Sequence, residues 1–136
     1  MIISVAAPRK GMGQTVTAIN LSAVVAQLTK TSTAVIDINR YCKDIEYYLS
    51  DSNCTKGLDD FYSLYHSELL SKESFSTCVK KVQKGIDIMA SNECFDISGE
   101  EIEVLINYID YHYKVGIVDT VGTANNISRE FFEKSD

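Results

Sequence analysis

The stretch from Ile2 to Leu21 constrains this chain more than any other. It runs Ile-Ile-Ser-Val-Ala-Ala-Pro-Arg-Lys-Gly-Met-Gly-Gln-Thr-Val-Thr-Ala-Ile-Asn-Leu. A short apolar run is followed by a turn carrying Pro8, Gly11 and Gly13, and then by helical spacing of apolar residues. That order is the pattern of a phosphate-binding loop, in which glycines let backbone N–H groups close around an anion at a helix N-terminus. The usual form is Gly-x-x-x-x-Gly-Lys-Ser/Thr. Here it reads Pro8-x-x-x-x-Gly13-Gln14-Thr15, so Gln14 stands where a lysine would reach the terminal phosphates.

The rest of the chain repeats the alternation of strand and helix. Residues 2–7, 33–38 and 114–119 are short β-type runs, and 86–90 is a weaker one. The clearest are near-continuous apolar, as in parallel strands covered on both faces. Residues 15–29 are apolar nearly all round, which suits a helix buried against a sheet. Further helices are expected at 57–65 and at 68–83, the latter with Phe75, Val79 and Val82 on one stripe and Gly85 as its stop. Ser98 with Glu101 forms a capping box that opens a helix bearing Ile102, Leu105, Ile106 and Ile109. Residues 40–56 are the least periodic and read as a partly helical connection. The predicted fold is a single α/β domain over 1–136, with a mainly parallel sheet and helices on both faces.

Composition narrows the function. A formal charge of −6 over 136 residues argues against non-specific binding to nucleic acid or anionic lipid. No apolar run approaches the roughly 20 residues of a membrane span, and the start lacks the basic and long apolar segments of a signal peptide. Cys42, Cys54, Cys78 and Cys94 contain no Cys-x-x-Cys pair, so free thiols in a reducing cytoplasm are expected rather than zinc.

In parallel sheets, ligands bind beyond the carboxyl ends of the strands. The first apolar run leads into the glycine loop, the second ends at Asp37, and the last ends at Asp119. A carboxylate closing a strand beside a phosphate loop holds magnesium, directly or through water, in nucleotide sites. Other candidates have simpler readings. His66 and His112 lack ligand-spaced partners. Glu100, Glu101, Glu103, Asp59 and Asp60 suit helix first turns. The tyrosines, including Tyr41, Tyr47 and Tyr48, suit amphipathic packing, and Lys80, Lys81 and Lys84 suit a solvated helix end.

With these residues in place, the chain resembles the ParA/MinD family of deviant Walker A ATPases. The family signature Lys-Gly-Gly-Val-Gly-Lys-Thr-Thr-Thr-Ala-Ile-Asn-Leu lies without a gap on Arg9-Lys10-Gly11-Met12-Gly13-Gln14-Thr15-Val16-Thr17-Ala18-Ile19-Asn20-Leu21. Its second strand, ending Asp-x-Asp, is similar to Val35-Ile36-Asp37-Ile38-Asn39. Its Tyr-Asp-Tyr-x-x-x-x-Asp-Thr-Pro segment is similar to Tyr111 through Val121. The stretches Gly57-Leu58 and Gly85-Ile86-Asp87-Ile88 also sit where the family has similar sequences.

The resemblance implies a P-loop NTPase site for ATP or ADP with magnesium. Its nucleotide-binding residues would be Arg9, Lys10, Gly11, Met12, Gly13, Gln14, Thr15 and Val16. Thr15 would place its hydroxyl on the metal, Asp119 would be the Walker B carboxylate, and Asp37 would act near the metal and the attacking water. Three departures weaken catalysis. Arg9 stands for the signature lysine, with Lys10 beside it as the substitute if the loop shifts by one residue. Gln14 removes the Walker lysine, and Asn39 replaces the second aspartate and cannot act as a base. Weak or absent hydrolysis is therefore expected. The TadZ/CpaE-like branch, which positions pilus secretion machinery, resembles the chain in its atypical loop.

Relative to the family the chain ends early. The family's strand order would place the four expected strands 3-2-4-1. The first would then be an open edge for a second copy or a protein partner, and Phe131-Phe132 would lack much of their cover. An active ATPase using Lys10, and an interaction scaffold that binds no nucleotide, are the alternatives to a weak nucleotide-binding positioning protein.

Overall fold

The computed structural model describes residues 1–9, 11–39, 44–50, 56–83, 85–91, 97–120 and 126–136. Five strands, β1 (Ile2–Val5), β2 (Thr33–Asp37), β3 (Lys80–Gln83), β4 (Ile86–Ala90) and β5 (Val115–Asp119), form one sheet in the order β1-β5-β2-β4-β3. All neighbours are parallel except β3, which runs antiparallel to β4. The four expected strands take their predicted 3-2-4-1 order, and β1 is an edge.

The described residues also form the helices α1 (Gln14–Thr29), α2 (Asp44–Leu49), α3 (Leu58–His66), α4 (Lys72–Phe75), α5 (Gly99–His112) and α6 (Asn126–Glu133). The alternation of each strand divides the core in two. Ala34, Ile36 and Val118 face α3, α5 and α6, meeting Phe61, Ile102, Leu105, Ile109 and Phe131. Val35, Ile86 and Ile88 face the other way, onto Ala26 of α1 and Ile45 of α2, while Val115 and Ile117 meet Ala18 of α1. Both faces of the sheet are therefore covered, as the continuous apolar strands require.

Ser98 caps α5 as its sequence predicts. Its Oγ accepts from Glu101 N–H at 3.2 Å, and its own N–H donates to the Glu101 carboxylate at 2.7 Å. Glu101 also meets His66 at 2.8 Å, and His112 stacks on Phe75 at 4.8 Å. Both histidines are thus occupied structurally. Asp60 accepts from Gly57 N–H at 2.8 Å, which starts α3. Cys78 is a buried free thiol; Cys42, Cys54 and Cys94 lie outside the described residues, as do Tyr41 and Lys84.

Three expectations are corrected. The helix expected over 68–83 is a single turn, α4, capped by Ser71, followed by strand β3. Lys80 and Lys81 thus lie in an edge strand, and Gly85, at φ 84°, turns the chain from β3 into β4 rather than ending a helix. Polar residues four apart mimic a solvated helix face, but the run pairs with β4 because a short turn places it there. Second, α1 is not buried all round: only Ala18, Ser22 and Ala26 are fully covered, and Val16, Val24 and Leu28 are exposed, Leu28 at 77%. Third, Phe131 is fully buried in the α5–α6 layer, and only Phe132 remains substantially exposed.

The β1 edge is met by the last residues described. Ile2 N–H donates to Asp136 Oδ2 at 2.7 Å, and Asp136 N–H donates to Ile2 O at 2.9 Å. Ser4 and Ser135 share a hydroxyl hydrogen bond at 2.6 Å. Among the described residues no helix is long and apolar enough to cross a membrane.

Candidate nucleotide and metal site

The turn after β1 delivers the chain to α1 through two left-handed glycines, Gly11 at φ 81° and Gly13 at φ 84°. A Cβ at either would meet nothing within 4 Å, so backbone conformation alone asks for glycine at these positions. Gly13 is the residue before α1, and Thr17 N–H bonds back to its carbonyl at 2.9 Å. Gly13 has no side chain with which to cap the helix, and the first turn carries no acidic residue. A sixteen-residue helix therefore opens with no cap hydrogen bond from its N-cap residue and the positive end of its dipole directed at this turn. Met12 and Val16 are exposed around it, Gln14 and Thr15 are half-buried, and Arg9 is exposed on the approach. Lys10 lies outside the described residues.

Beside this helix end stand the two carboxylates. Asp37 and Asp119 are register partners at the carboxyl ends of the adjacent strands β2 and β5. Each shares its strand parity with a residue packed toward the α1–α2 side, Val35 and Ile117 respectively, so both belong to the face on which α1 begins. The strand ends are fixed: Ile38 N–H donates to Asp119 O at 3.3 Å, and Thr120 bonds Val5 O through its N–H at 3.1 Å and its hydroxyl at 2.8 Å.

Thr15 Oγ1 donates to Asp119 Oδ2 at 2.6 Å. Asp119 is 2% exposed, and its other oxygen, Oδ1, has no hydrogen-bond partner. Buried carboxylate oxygens are ordinarily paired, so this open acceptor beside a hydroxyl could take a cation or its water. The residues fit magnesium: Thr15 Oγ1 and Asp119 supply hard oxygen donors next to a helix N-terminus suited to phosphate. No group of three acidic, histidine or cysteine side chains among the described residues is arranged to hold a metal alone, so the remaining ligands would be phosphate oxygens and water.

Asp37 is differently engaged. It is fully buried, Oδ1 accepts from Asn39 N–H at 2.9 Å, and Oδ2 accepts from Ile45 N–H at 3.2 Å. Burial pushes its pKa to about 7, against the two backbone hydrogen bonds, with the charges of Asp119 and Asp44 adding to the rise. Burial likewise raises Asp119 to about 6, opposed by the Thr15 hydrogen bond and assisted by Asp44. Asp44, the first residue of α2, is a third acidic group at this end of the sheet that the sequence reading did not single out. Its signal was weak because it lies in the aperiodic segment after Asn39.

The structure thus brings Gly11, Met12, Gly13, Gln14, Thr15, Val16, Asp37 and Asp119 to one end of the sheet. This mainly parallel α/β fold is shared by solved ParA and MinD structures. No family model matches the sequence, and no curated protein matches it. Solved structures do share the fold. A ParA family ATPase from Chlorobium tepidum superposes with TM-score 0.84 at 22% identity, over 99% of this chain and 57% of that one. The MinC:MinD cell division protein complex of Aquifex aeolicus gives 0.75 at 16%, over 99% and 53%. The kinase domain of the Escherichia coli tyrosine kinase ETK gives 0.76 at 20%, over 98% and 52%. The chain spans little more than half the length of these structures. At such identities the likeness establishes the fold, and one fold that hosts a ParA family ATPase and a tyrosine kinase leaves function to the site.

Proposed function

We propose that the chain binds a nucleoside di- or triphosphate with magnesium at the start of α1 and works as a positioning protein of the ParA/MinD type, with slow or absent hydrolysis. The observation that carries this reading is the Thr15–Asp119 hydrogen bond with the orphaned Asp119 Oδ1, set beside an uncapped helix N-terminus. Backbone N–H groups from Gly11 to Val16 would hold the phosphates, and Arg9 or Lys10 would supply positive charge. Thr15 and Asp119 would hold the magnesium, whose charge would offset that of the phosphates.

The residues around that metal limit the chemistry. Gln14 can donate a hydrogen bond but brings no charge to the phosphates, and Asn39 cannot take a proton from water. Binding without rapid turnover is the consequence. An active ATPase of the same type requires Lys10 to replace Gln14.

A protein partner belongs to the same proposal. Val24 and Leu28 on the outer side of α1 are exposed, and β1 is a sheet edge. A second copy or another protein would cover the exposed apolar side chains of α1, and at the β1 edge it would meet a strand that Asp136 already pairs at Ile2. Assignment to the TadZ/CpaE-like branch, with a role in pilus assembly in the cytoplasm, rests on the atypical loop alone. Calorimetry with ADP and magnesium tests the nucleotide reading. Binding that magnesium strengthens in the native chain and not in Asp119→Ala supports it, while a scaffold that binds no nucleotide gives no heat.

A further inference from the structure

The nucleotide reading leaves open how many phosphates the site accepts. We infer that it takes a nucleoside diphosphate in preference to a triphosphate, and that Gln14 sets the preference. This rests on the nucleotide reading and names the ligand class of that same site.

The start of α1 offers hydrogen-bond donors without a side-chain cation. Gly11 and Gly13 are both left-handed, and Thr17 N–H bonds back to Gly13 O at 2.9 Å. The N–H groups of Gln14, Thr15 and Val16 therefore stand ahead of the intrahelical ladder. Such a turn is a concavity for one anionic group. A second, independent feature points to a ligand here. Thr15 Oγ1 donates to Asp119 Oδ2 at 2.6 Å, which holds the other, unpartnered oxygen of this buried carboxylate at the first turn of the helix.

The charges around that turn favour the smaller anion. From Gln14 to Thr29, α1 contains no lysine, arginine or histidine. The next basic residue, Lys30, caps the far end, roughly 24 Å along the axis at about 1.5 Å per residue. Arg9 and Lys10 both precede Gly11 in the chain, and Arg9 is exposed, so water screens its charge. Asp37 and Asp119 are buried register partners at the ends of adjacent strands, and Asp119 is bonded to the residue that follows Gln14.

In a phosphate loop the position of Gln14 carries the lysine that reaches the second and third phosphates. The backbone donors, with the magnesium that Thr15 and Asp119 would hold, suffice for a diphosphate. A triphosphate brings one more phosphoryl group and its charge, which Gln14 meets with an amide alone. That added charge also lies in the field of the two carboxylates.

The test is equilibrium binding to the whole chain with magnesium present. It compares ADP with a non-hydrolysable ATP analogue, in the native protein and in Gln14→Lys. The native chain is expected to bind ADP about tenfold more tightly than the analogue, the size of one charged hydrogen bond. Gln14→Lys is expected to tighten the analogue more than ADP, and so to narrow or reverse that ratio. A native chain that binds the analogue at least as tightly as ADP overturns the preference, and this arm stands even where Gln14→Lys does not fold. Equal tightening of both nucleotides in Gln14→Lys overturns the role of Gln14. A native chain that binds neither nucleotide overturns the nucleotide reading itself.

Discussion

Thr15 and Asp119, 104 positions apart in the chain, share a 2.6 Å hydrogen bond that ties the first turn of α1 to the end of β5. The bond satisfies one oxygen of a buried carboxylate and leaves the other open. Thr15→Val keeps the shape and removes the hydroxyl, so Oδ2 loses its partner and neither oxygen of Asp119 is paired. An unsatisfied buried acceptor costs about 1–3 kcal/mol. We expect urea denaturation to show a loss of that size without magnesium, and nucleotide binding to lose its dependence on magnesium. An unchanged urea midpoint would mean that the bond contributes nothing to the native state.

Gln14 lies at the first residue of α1, where a lysine ammonium would meet phosphate oxygens. A hydrogen bond to a charged group is worth about 1.5–3 kcal/mol, so Gln14→Lys should tighten ADP binding by about tenfold or more. Isothermal titration reads this directly. Equal affinity in both chains would place the phosphates away from this helix end.

The two buried aspartates make stability depend on pH. In the unfolded chain both ionise near the usual pKa of about 4, whereas in the fold Asp119 holds its proton to about 6 and Asp37 to about 7. Between those limits the native state binds more protons than the unfolded state, so stability falls as pH rises and levels off above the higher value. Urea midpoints without magnesium should therefore decline from about pH 5 to about pH 7. Asp37→Asn should flatten the upper part of that decline. A midpoint that rises over this range in the native chain would contradict the assignment.

Gly57 precedes α3, and a Cβ there would lie 1.9 Å from the carbonyl oxygen of Ala90 at the end of β4. Backbone cannot yield as a flexible side chain does, so Gly57→Ala must push α3 off the sheet. Phe61 and Leu58, both buried in the main core, move with it. We expect a loss of about 2 kcal/mol or more by chemical denaturation, in the range of other overpacking changes. A loss below about 0.5 kcal/mol, typical of surface sites, would mean that the contact relaxes freely.

Much of this arrangement is legible in the residues themselves. The apolar runs ending at Asp37 and Asp119 declare buried parallel strands, and Ser98 with Glu101 declares the start of α5. Gly11 and Gly13 declare the turn that opens α1. What escapes is decided by pairing across space. Lys80–Gln83 is four residues long and mostly polar, and becomes a strand because β4 lies beside it. The hold of Asp37 on Ile45 crosses an aperiodic segment, so nothing local announces it. The exposure of Val24 and Leu28 is likewise invisible, since apolar residues all round a helix read as burial on every side.

The account stands most directly on whether the Thr15–Asp119 end of the sheet takes nucleotide with magnesium. Isothermal titration of ADP into the native chain and into Asp119→Ala, each with and without magnesium, decides it. The account predicts binding by the native chain that magnesium strengthens, with that strengthening absent in Asp119→Ala. Binding that ignores both magnesium and Asp119, or no binding by the native chain, would contradict it.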